Sequence, residues 1–295
     1  MRSESLSVII DKLAIVGTGL IGGSFALALK QAGAVGEVLG VGRNASSLAQ
    51  ALQLGLIDRA VDWATAGQAD CILLAIPVGD TEAVLAQLLP HLKPGAIVTD
   101  AGSTKGNIIA AARAGLKARF SDFVPGHPIA GSEQSGPLAA RADLYQGKKV
   151  VLTPEPDTRA AALATVQALW TAAGAQVETL DAALHDRIFA AVSHLPHLAA
   201  FALVDELACR ADSDAYFRFA ASGFRDFTRI AGSSPEMWRD IALANRDALV
   251  TELDAYLASL QALRQAVTEE DANALLKLFS RAREARENWM KTQDV

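Results

Sequence analysis

The sequence lacks three features that would assign it to whole classes of protein. Its 295 residues include only two cysteines, Cys71 and Cys209, which is too few for a disulfide framework or a cysteine metal cluster. No segment concentrates lysine and arginine, and the net charge is -6, so nucleic acid is not an expected partner. No uninterrupted run reaches the roughly 18 apolar residues of a membrane span. We therefore expect a soluble, cytoplasmic protein that does not bind a membrane.

What remains is the composition of a packed globular chain, with 51% hydrophobic and 20% charged residues. From Leu13 to about Leu180, short β-rich runs alternate with helical stretches, which is typical of an α/β domain with a mostly parallel sheet. After about Asp181 the patterns are helical and rich in alanine and leucine. We therefore predict two domains, an α/β domain over residues 1–181 and an all-helical domain over residues 182–295.

The predicted elements of the first domain are short. The strands are expected at Leu13–Val16, Glu37–Val41, Cys71–Ile76, Ile97–Thr99, Phe123–Pro125 and Lys149–Thr153. Helices are expected at Ser24–Gln31, Ser46–Leu54 and Thr81–Leu89. In the second domain an apolar stripe runs from Leu249 to Val267, which indicates either a core-facing helix or part of a shared dimer core.

A glycine-rich turn follows the first predicted strand. It is a complete G-x-G-x-x-G made of Gly17, Thr18, Gly19, Leu20, Ile21 and Gly22. The first glycine permits the tight turn, the second lets a pyrophosphate approach the backbone, and the third lets the helix pack on the strand. The N–H groups of the helix N-terminus then face the phosphates. The pattern predicts a dinucleotide site in a Rossmann-type, doubly wound parallel sheet.

The end of the second predicted strand bears on the choice of cofactor. An acid there would accept hydrogen bonds from the ribose 2′-hydroxyl and repel a 2′-phosphate, but the sequence has Arg43 and Asn44. Arg43 can pair with a phosphate and stack on adenine. We therefore expect NADP as the preferred cofactor, with NAD possible. The alternative is that Arg43 is a solvated loop cation.

One histidine lies between glycine and proline after a predicted strand end, where α/β sheets expose their ligands. With a reference pKa near 6.5, His127 can take a proton from a substrate hydroxyl as hydride leaves the same carbon. This is the acid-base partner that an alcohol dehydrogenation needs. Taken alone, the segment fits a structural loop histidine equally well.

Several longer blocks are specific in combination. They are GTGLIGG at 17–23, AIPV at 75–78, DAGSTKG at 100–106, GHPIAGSEQSG at 126–136, VSHLPH at 192–197 and GFRDFTRIA at 223–231. In this order they resemble the prephenate and arogenate (cyclohexadienyl) dehydrogenases of tyrosine biosynthesis. The resemblance implies a nucleotide-binding domain, a helical dimerisation domain that makes a homodimer, and oxidative decarboxylation in the cleft between the domains.

The resemblance also implies roles for individual residues. His127 matches the catalytic histidine of the family, and Ser103 matches a serine beside the substrate hydroxyl and the nicotinamide. The alternative for Ser103 is a cap of the helix that begins near Lys105. The strand-end residues Ala75, Ile76 and Pro77 are expected at the cofactor. No metal is required, because the oxidised ring is a vinylogous β-keto acid that loses carbon dioxide as it aromatises.

An anionic substrate needs fixed cations. Arg225 and Arg229 are four residues apart, which would place them on one helix face, and Arg229 matches the carboxylate-binding arginine of the family. Its alternative is a solvated arginine or one paired with Asp226. His194 and His197 have no third ligand nearby for zinc, and are expected to bind substrate, above all His197.

Three further residues match the substrate pocket of the family. Ser132 and Glu133 lie where the family lines the side-chain pocket, and the role of Glu133 is open, since it would attract an ammonium and oppose a carboxylate. Trp238 matches an aromatic near the pocket, although a core tryptophan fits equally well.

Two other functions stay open at this stage. One is another two-domain NADP-dependent reductase, of the β-hydroxyacid dehydrogenase or imine reductase type. A catalytic lysine on the first helix of the second domain would favour the former, and Asp181–Val204 contains no lysine. The other is an NADP-binding regulator without chemistry. Prephenate and arogenate differ only in the side chain, so both remain expected substrates.

Overall fold

The computed structural model describes residues 8–131 and 134–292. Contacts between Cα atoms divide the chain into two compact units, one ending at Arg246 and the other beginning at Asp247. The strands are β1 (Ile10–Val16), β2 (Val35–Val41), β3 (Arg59–Ala60), β4 (Cys71–Leu74), β5 (Ile97–Asp100), β6 (Phe123–Val124), β7 (Gly126–Pro128), β8 (Lys149–Leu152) and β9 (Gln176–Thr179). The predicted domain boundary after residue 181 falls just after the last of these strands and stays a prediction.

The helices fall into three groups along the chain. Among the strands are α1 (Leu20–Ala32), α2 (Ala45–Gln53), α3 (Trp63–Ala66), α4 (Thr81–Leu88), α5 (Gly106–Leu116) and α6 (Ala160–Ala172). After the last strand come α7 (Ala182–Phe189), α8 (Leu195–Ala208), α9 (Ser213–Phe219), α10 (Ser222–Thr228) and α11 (Pro235–Ala244). The last two helices are α12 (Arg246–Thr268), which lies in the second unit apart from its first residue, and α13 (Ala272–Lys291), which lies wholly in that unit. The helical second half of the predicted fold is thus confirmed.

The first six strands form one parallel sheet in the order β3-β2-β1-β4-β5-β6. This is the order of a Rossmann-type sheet, whose ligands bind outside the carboxyl ends of the strands, so the predicted fold class is confirmed. Alternate residues of β1 enter opposite layers of the core. Leu13 and Ile15 belong to the layer with Phe25 and Trp170, whereas Ala14 and Val16 belong to the other.

A second, three-stranded sheet corrects one predicted strand. Phe123–Pro125 was expected as a single strand, but β6 ends before Pro125 and β7 begins after it. Pro125 has no N–H to donate to a ladder, so the chain leaves the first sheet there and pairs with β8 in an antiparallel arrangement. The sequence pattern also missed β3, which is two residues long, and the largely exposed β9. The switch between sheets places His127 on β7 at the carboxyl edge of the parallel sheet.

The helical stretch Ala182–Ala208 contains a π-helical turn at Ala190–His194. Pro196, which has no backbone N–H to donate, comes just after this π-helical turn. By length and composition alone this stretch could cross a membrane, with a mean hydropathy of 1.5. Its polar residues include His185, His194 and His197, which it carries into the site described below.

Candidate active site

The glycine-rich turn lies between β1 and α1, as predicted. Gly17 has φ +94°, and a Cβ there would lie 2.2 Å from the Ala75 carbonyl oxygen. A Cβ on Gly22 would lie 2.3 Å from the Gly17 carbonyl oxygen. Gly19 differs, because the nearest atom that a Cβ on it would meet within the described residues is the Gly136 nitrogen, at 4.0 Å. The first and third glycines are therefore needed for packing, whereas the second borders open space.

This open space is a cleft lined by most of the predicted cofactor residues, but not by Leu20, Ile21, Gly22 or Ser103. The turn residues Gly17, Thr18 and Gly19 form one wall, and the loop after β4 forms another with Ala75, Ile76 and Pro77. Leu20 and Ile21 begin α1, whose first turn has no acidic residue and no side-chain cap. Its N–H groups therefore fit the pyrophosphate of a dinucleotide.

Arg43 and Asn44 also line the cleft, but both have protein partners. Asn44 caps α2, and its Oδ1 accepts hydrogen bonds from the N–H groups of Ser46 and Ser47. The Arg43 side chain is 81% exposed, and its Nη2 lies 2.5 Å from Oδ2 of Asp80. The end of β2 has no acidic residue, but a carboxylate still lies beside Arg43. It is that of Asp80, which comes from the segment after β4.

The second half of the site is a group of buried histidines. His127 is only 9% exposed, and its Nδ1 lies 2.9 Å from Nε2 of His185 on α7. His185 Nδ1 in turn lies 2.9 Å from Oδ1 of Asp186. The ring of Phe189 packs against both histidines, with centroids 4.8 and 4.5 Å away. The three polar side chains thus form a buried row that ends at a carboxylate.

Burial is the main cause of the protonation state of these rings. It lowers the pKa of His127 well below 6.5, and the neighbouring His185, Lys105 and His194 lower it further. Burial also lowers the pKa of His185, against the opposing effect of Asp186. For Asp186 burial acts to raise the pKa, but hydrogen bonds from His185 and from backbone N–H groups lower it overall. Near neutral pH the row therefore consists of two neutral imidazoles and one carboxylate.

A buried ion pair supports the backbone beside His127. Lys105 has no exposed side-chain surface, and its Nζ lies 2.5 Å from Asp100 Oδ2 and 2.6 Å from the Gly126 carbonyl oxygen. The Gly126 N–H donates to Asp100 Oδ1 at 3.0 Å. Both backbone groups of the residue before His127 are thus held by charged side chains, which fixes where the imidazole can lie.

Ser103 lies on the half-buried loop between β5 and α5. It makes no side-chain cap to α5, so the cap expected as its alternative role is not formed. The N–H groups of Lys105 and Gly106 are bound instead by Asp186, at 2.8 Å each. The Ser103 backbone also interacts with His194, which burial holds at a pKa of about 4.

The structure brings His194, His197 and Trp238 together. His194 is fully buried, and its Nδ1 lies 3.1 Å from Nδ2 of Asn245. It therefore supports the site from within the protein interior. His197 is half-buried, and its ring stacks on Trp238 with centroids 3.7 Å apart. Its Nδ1 donates to the Ser193 carbonyl oxygen at 2.8 Å. The indole Nε1 of Trp238 is buried and has no hydrogen-bond partner among residues 8–131 and 134–292.

The two candidate arginines are not equivalent. Arg225 lies on α10, whereas Arg229 begins the short 3-10 helix Arg229–Gly232, so they do not share one helix. Arg229 is close enough to His197 to lower the pKa of that ring, after the larger effect of burial. The Arg225 side chain is 79% exposed and lies 3.7 Å from Asp226. The structure thus associates Arg229 with the histidines.

The predicted residues Ser132 and Glu133 lie outside the described residues. Within the described ranges no group of three His, Cys, Asp or Glu side chains is arranged to hold a metal ion.

Sequence reasoning missed several residues of the site. His185, Asp186 and Asn245 carry no motif, and only their contacts associate them with the site: His185 with His127, Asp186 with His185 and the start of α5, and Asn245 with His194. Asp100 and Lys105 were part of the DAGSTKG block, but nothing in the pattern indicated a buried pair. Asp80 was missed because its partner Arg43 is 37 residues earlier in the chain.

A phosphate cradle in a Rossmann-type sheet, followed by a buried neutral imidazole at the sheet's carboxyl edge, defines a dinucleotide-dependent dehydrogenase. Two family models match the chain, the prephenate dehydrogenase nucleotide-binding domain over residues 25–179 and the prephenate dehydrogenase dimerization domain over residues 181–281. The chain therefore belongs to the prephenate dehydrogenase family.

Individual relatives agree over nearly the whole length. The chain is 36% identical to the cyclohexadienyl dehydrogenase of Zymomonas mobilis, over 93% of this chain and 94% of the relative. It is similar to the structure of A. aeolicus prephenate dehydrogenase in complex with hydroxyphenyl propionate and NAD+, with a TM-score of 0.89, 37% identity, and coverage of 95% and 98%. It also resembles Synechocystis arogenate dehydrogenase, with a TM-score of 0.79, 32% identity, and coverage of 94% and 99%.

Proposed function

We propose that this enzyme oxidises and decarboxylates prephenate, arogenate or both, giving 4-hydroxyphenylpyruvate or tyrosine, with hydride transfer to NAD(P). The observation that carries this is the buried neutral His127 in a chain of the prephenate dehydrogenase family. When bound, NAD(P) supplies the hydride acceptor for the ring carbon that bears the hydroxyl. Neither the other reductase class nor a regulator without chemistry is favoured by any observation.

His127 is the general base of this proposal. Its Nδ1 is occupied by His185, so Nε2 is the nitrogen that takes the proton of the substrate hydroxyl. Because burial lowers the pKa of the ring, it is neutral and ready to accept a proton at pH 7. Ser103, which matches the family's serine beside the substrate hydroxyl, is proposed to supply a hydroxyl near the base. The oxidised ring then loses its carboxylate as carbon dioxide, driven by aromatisation.

Arg229 and His197 are the proposed substrate contacts. Arg229 offers a guanidinium for a carboxylate, and its electrostatic effect on the pKa of His197 supports assigning both to the same substrate group. Trp238 stacks on His197 and fixes its ring. We assign supporting roles to His194 and Arg225. His194 is buried next to Ser103, and Arg225 lies at the surface. The sequence-based roles of Ser132 and Glu133 in the side-chain pocket stay predictions.

For the cofactor we propose a preference for NADP through Arg43. A 2′-phosphate would replace Asp80 as the partner of Arg43, and the Asp80 carboxylate would weaken that exchange. Arg43→Ala is therefore expected to raise the KM for NADP and leave the KM for NAD unchanged. Asp80→Asn is expected to lower the KM for NADP selectively. Equal changes for both cofactors in both variants would contradict this assignment.

We further propose a homodimer in the cytoplasm, built through the helical region. In α8 only Ala200 is buried, and in α12 the apolar side chains of Leu257, Leu260 and Val267 are exposed in the single chain. A partner chain would cover such surface. Light scattering after gel filtration should give twice the chain mass, and a monomer at micromolar concentration would contradict the proposal.

The experiment that tests the function is a matrix of initial rates, with prephenate or arogenate against NAD or NADP, followed by absorbance of the reduced cofactor. Turnover is expected with at least one pair, and the pattern gives substrate and cofactor preference. No turnover with any pair, while NADP still binds, would contradict the proposal.

A further inference from the structure

The row His127, His185 and Asp186 has a fixed direction of hydrogen bonding. The pKa of Asp186 is lowered, so its carboxylate is ionised near neutral pH and can only accept. His185 Nδ1 must therefore carry the proton and donate to Asp186. In a neutral imidazole the other nitrogen is then an acceptor, so His185 Nε2 accepts from His127.

The same logic fixes the tautomer of the catalytic ring. His127 must carry its proton on Nδ1 in order to donate to His185, which leaves the lone pair on Nε2. Nε2 is the atom that the proposed reaction needs as a base. The opposite tautomer would present an N–H to the substrate hydroxyl and could not accept its proton.

Asp186 is held firmly enough for this purpose. Its two oxygens also accept the N–H groups of Lys105 and Gly106 at the start of α5, each at 2.8 Å. This helix start favours the ionised carboxylate. The same contacts join Asp186 to the loop that carries Ser103, so one side chain sets the position of both the base and that loop.

We propose that His185 and Asp186 are positioning residues that set the tautomer and orientation of His127, and so determine its competence as a base. The inference deepens the proposed function and rests on it. The row itself transfers no proton. As the substrate O–H bond breaks, an N–H bond forms at His127 Nε2, and the resulting cation is stabilised through His185 by the Asp186 carboxylate.

Two amide substitutions separate the two hydrogen bonds of His185. In His185→Gln the side-chain oxygen reaches the place of Nε2 and still accepts from His127. In His185→Asn the amide reaches only the place of Nδ1, so the contact with Asp186 survives and the one with His127 is lost. His91→Asn, at a histidine outside the row, is the control for replacing a histidine by an amide.

Kinetics and NMR are measured on the full-length protein. His185→Asn is expected to lower kcat by about 10- to 100-fold, part of what general base catalysis contributes, whereas His185→Gln retains most of kcat. Cofactor Kd and the thermal unfolding temperature serve as checks that both variants fold. Long-range 1H–15N spectra of histidine-labelled protein should show His127 protonated at Nδ1 in the wild type and in His185→Gln, and at Nε2 in His185→Asn.

The NMR result does not depend on turnover, so failure of this inference is distinguishable from failure of the proposed function. Wild-type His127 protonated at Nε2 at neutral pH would overturn the inference, as would equal kcat in the two His185 variants with an unchanged His127 tautomer. A wild type that turns over neither substrate would contradict the proposed function, while the tautomer would still test the row.

Discussion

The cofactor cleft and the histidine row are built in opposite ways. One wall of the cleft comes from consecutive residues, Gly17 to Gly19, in the turn between one strand and one helix. The row joins His127 on β7 to His185 and Asp186 on α7, 58 and 59 residues later. A local turn can be recognised from its spacing because backbone geometry requires those residues. A row assembled from distant elements has no spacing to recognise.

The two regions also differ in what a substitution should disturb. The glycine-rich wall of the cleft would bind a dinucleotide with backbone groups, so changing it should affect cofactor affinity. The row acts through side chains, so changing it should affect turnover. The following predictions test this separation, in order of decreasing effect.

The largest effect is expected for His127→Asn. Loss of the general base should lower kcat by about 100-fold or more. Fluorescence titration should give an unchanged Kd for the cofactor, because His127 does not line the cofactor cleft. Unchanged turnover would remove His127 from its role, and an equal loss of cofactor affinity would break the separation between the regions.

Arg229→Ala should come next. Loss of a charge-assisted pair with a substrate carboxylate, worth about 1.5–3 kcal/mol, should raise the substrate KM by about 10- to 100-fold. Arg225→Ala is the matched control, and the exposed position of Arg225 predicts a small change. An effect of Arg229→Ala confined to the cofactor KM, or equal KM changes in both variants, would show the assignment to be wrong.

Two glycine variants should distinguish an effect on cofactor binding from an effect on protein stability. Gly19→Ala should raise the cofactor Kd by about tenfold, or about 1.4 kcal/mol, with little change in Tm, because its methyl group enters the open cleft. Gly17→Ala should lower Tm, since its Cβ would lie 2.2 Å from the Ala75 carbonyl oxygen at φ +94°. A lowered Tm in Gly19→Ala, measured by calorimetry without cofactor, would contradict this division.

The smallest effect is expected in the pH profile of kcat/KM. His127 must be neutral to act, and its lowered pKa keeps it neutral as pH falls through 6.5. Burial, the cation of Lys105 and the rings of His185 and His194 favour this neutral form, while the carboxylates of Asp186 and Asp100 face the same cluster. The acidic limb of the profile should therefore lie below pH 6.5, and a limb above that value would contradict it.

The features that could be predicted from the sequence are those that depend on residues close together in the chain. The parallel sheet and the glycine-rich turn followed from periodicity and spacing, and the family blocks singled out His127. The break at Pro125 was missed because it depends on which strand lies beside β7. Arg43 was expected to be available for a phosphate, and only the fold placed Asp80 against it.

By itself, the amino-acid sequence determined the fold class, the dinucleotide turn and the family, and it singled out His127 as the proposed base, because each depends on motifs whose residues are close together in the chain. Only the tertiary structure decided the partners of those residues. It buried His127 beside His185, gave α5 its cap from Asp186, 80 residues away, and placed Lys105 and Asp100 on both sides of Gly126. Burial and hydrogen bonding set the pKa of His127 and, in our proposal, its tautomer, and both depend on neighbours that meet only when the chain folds.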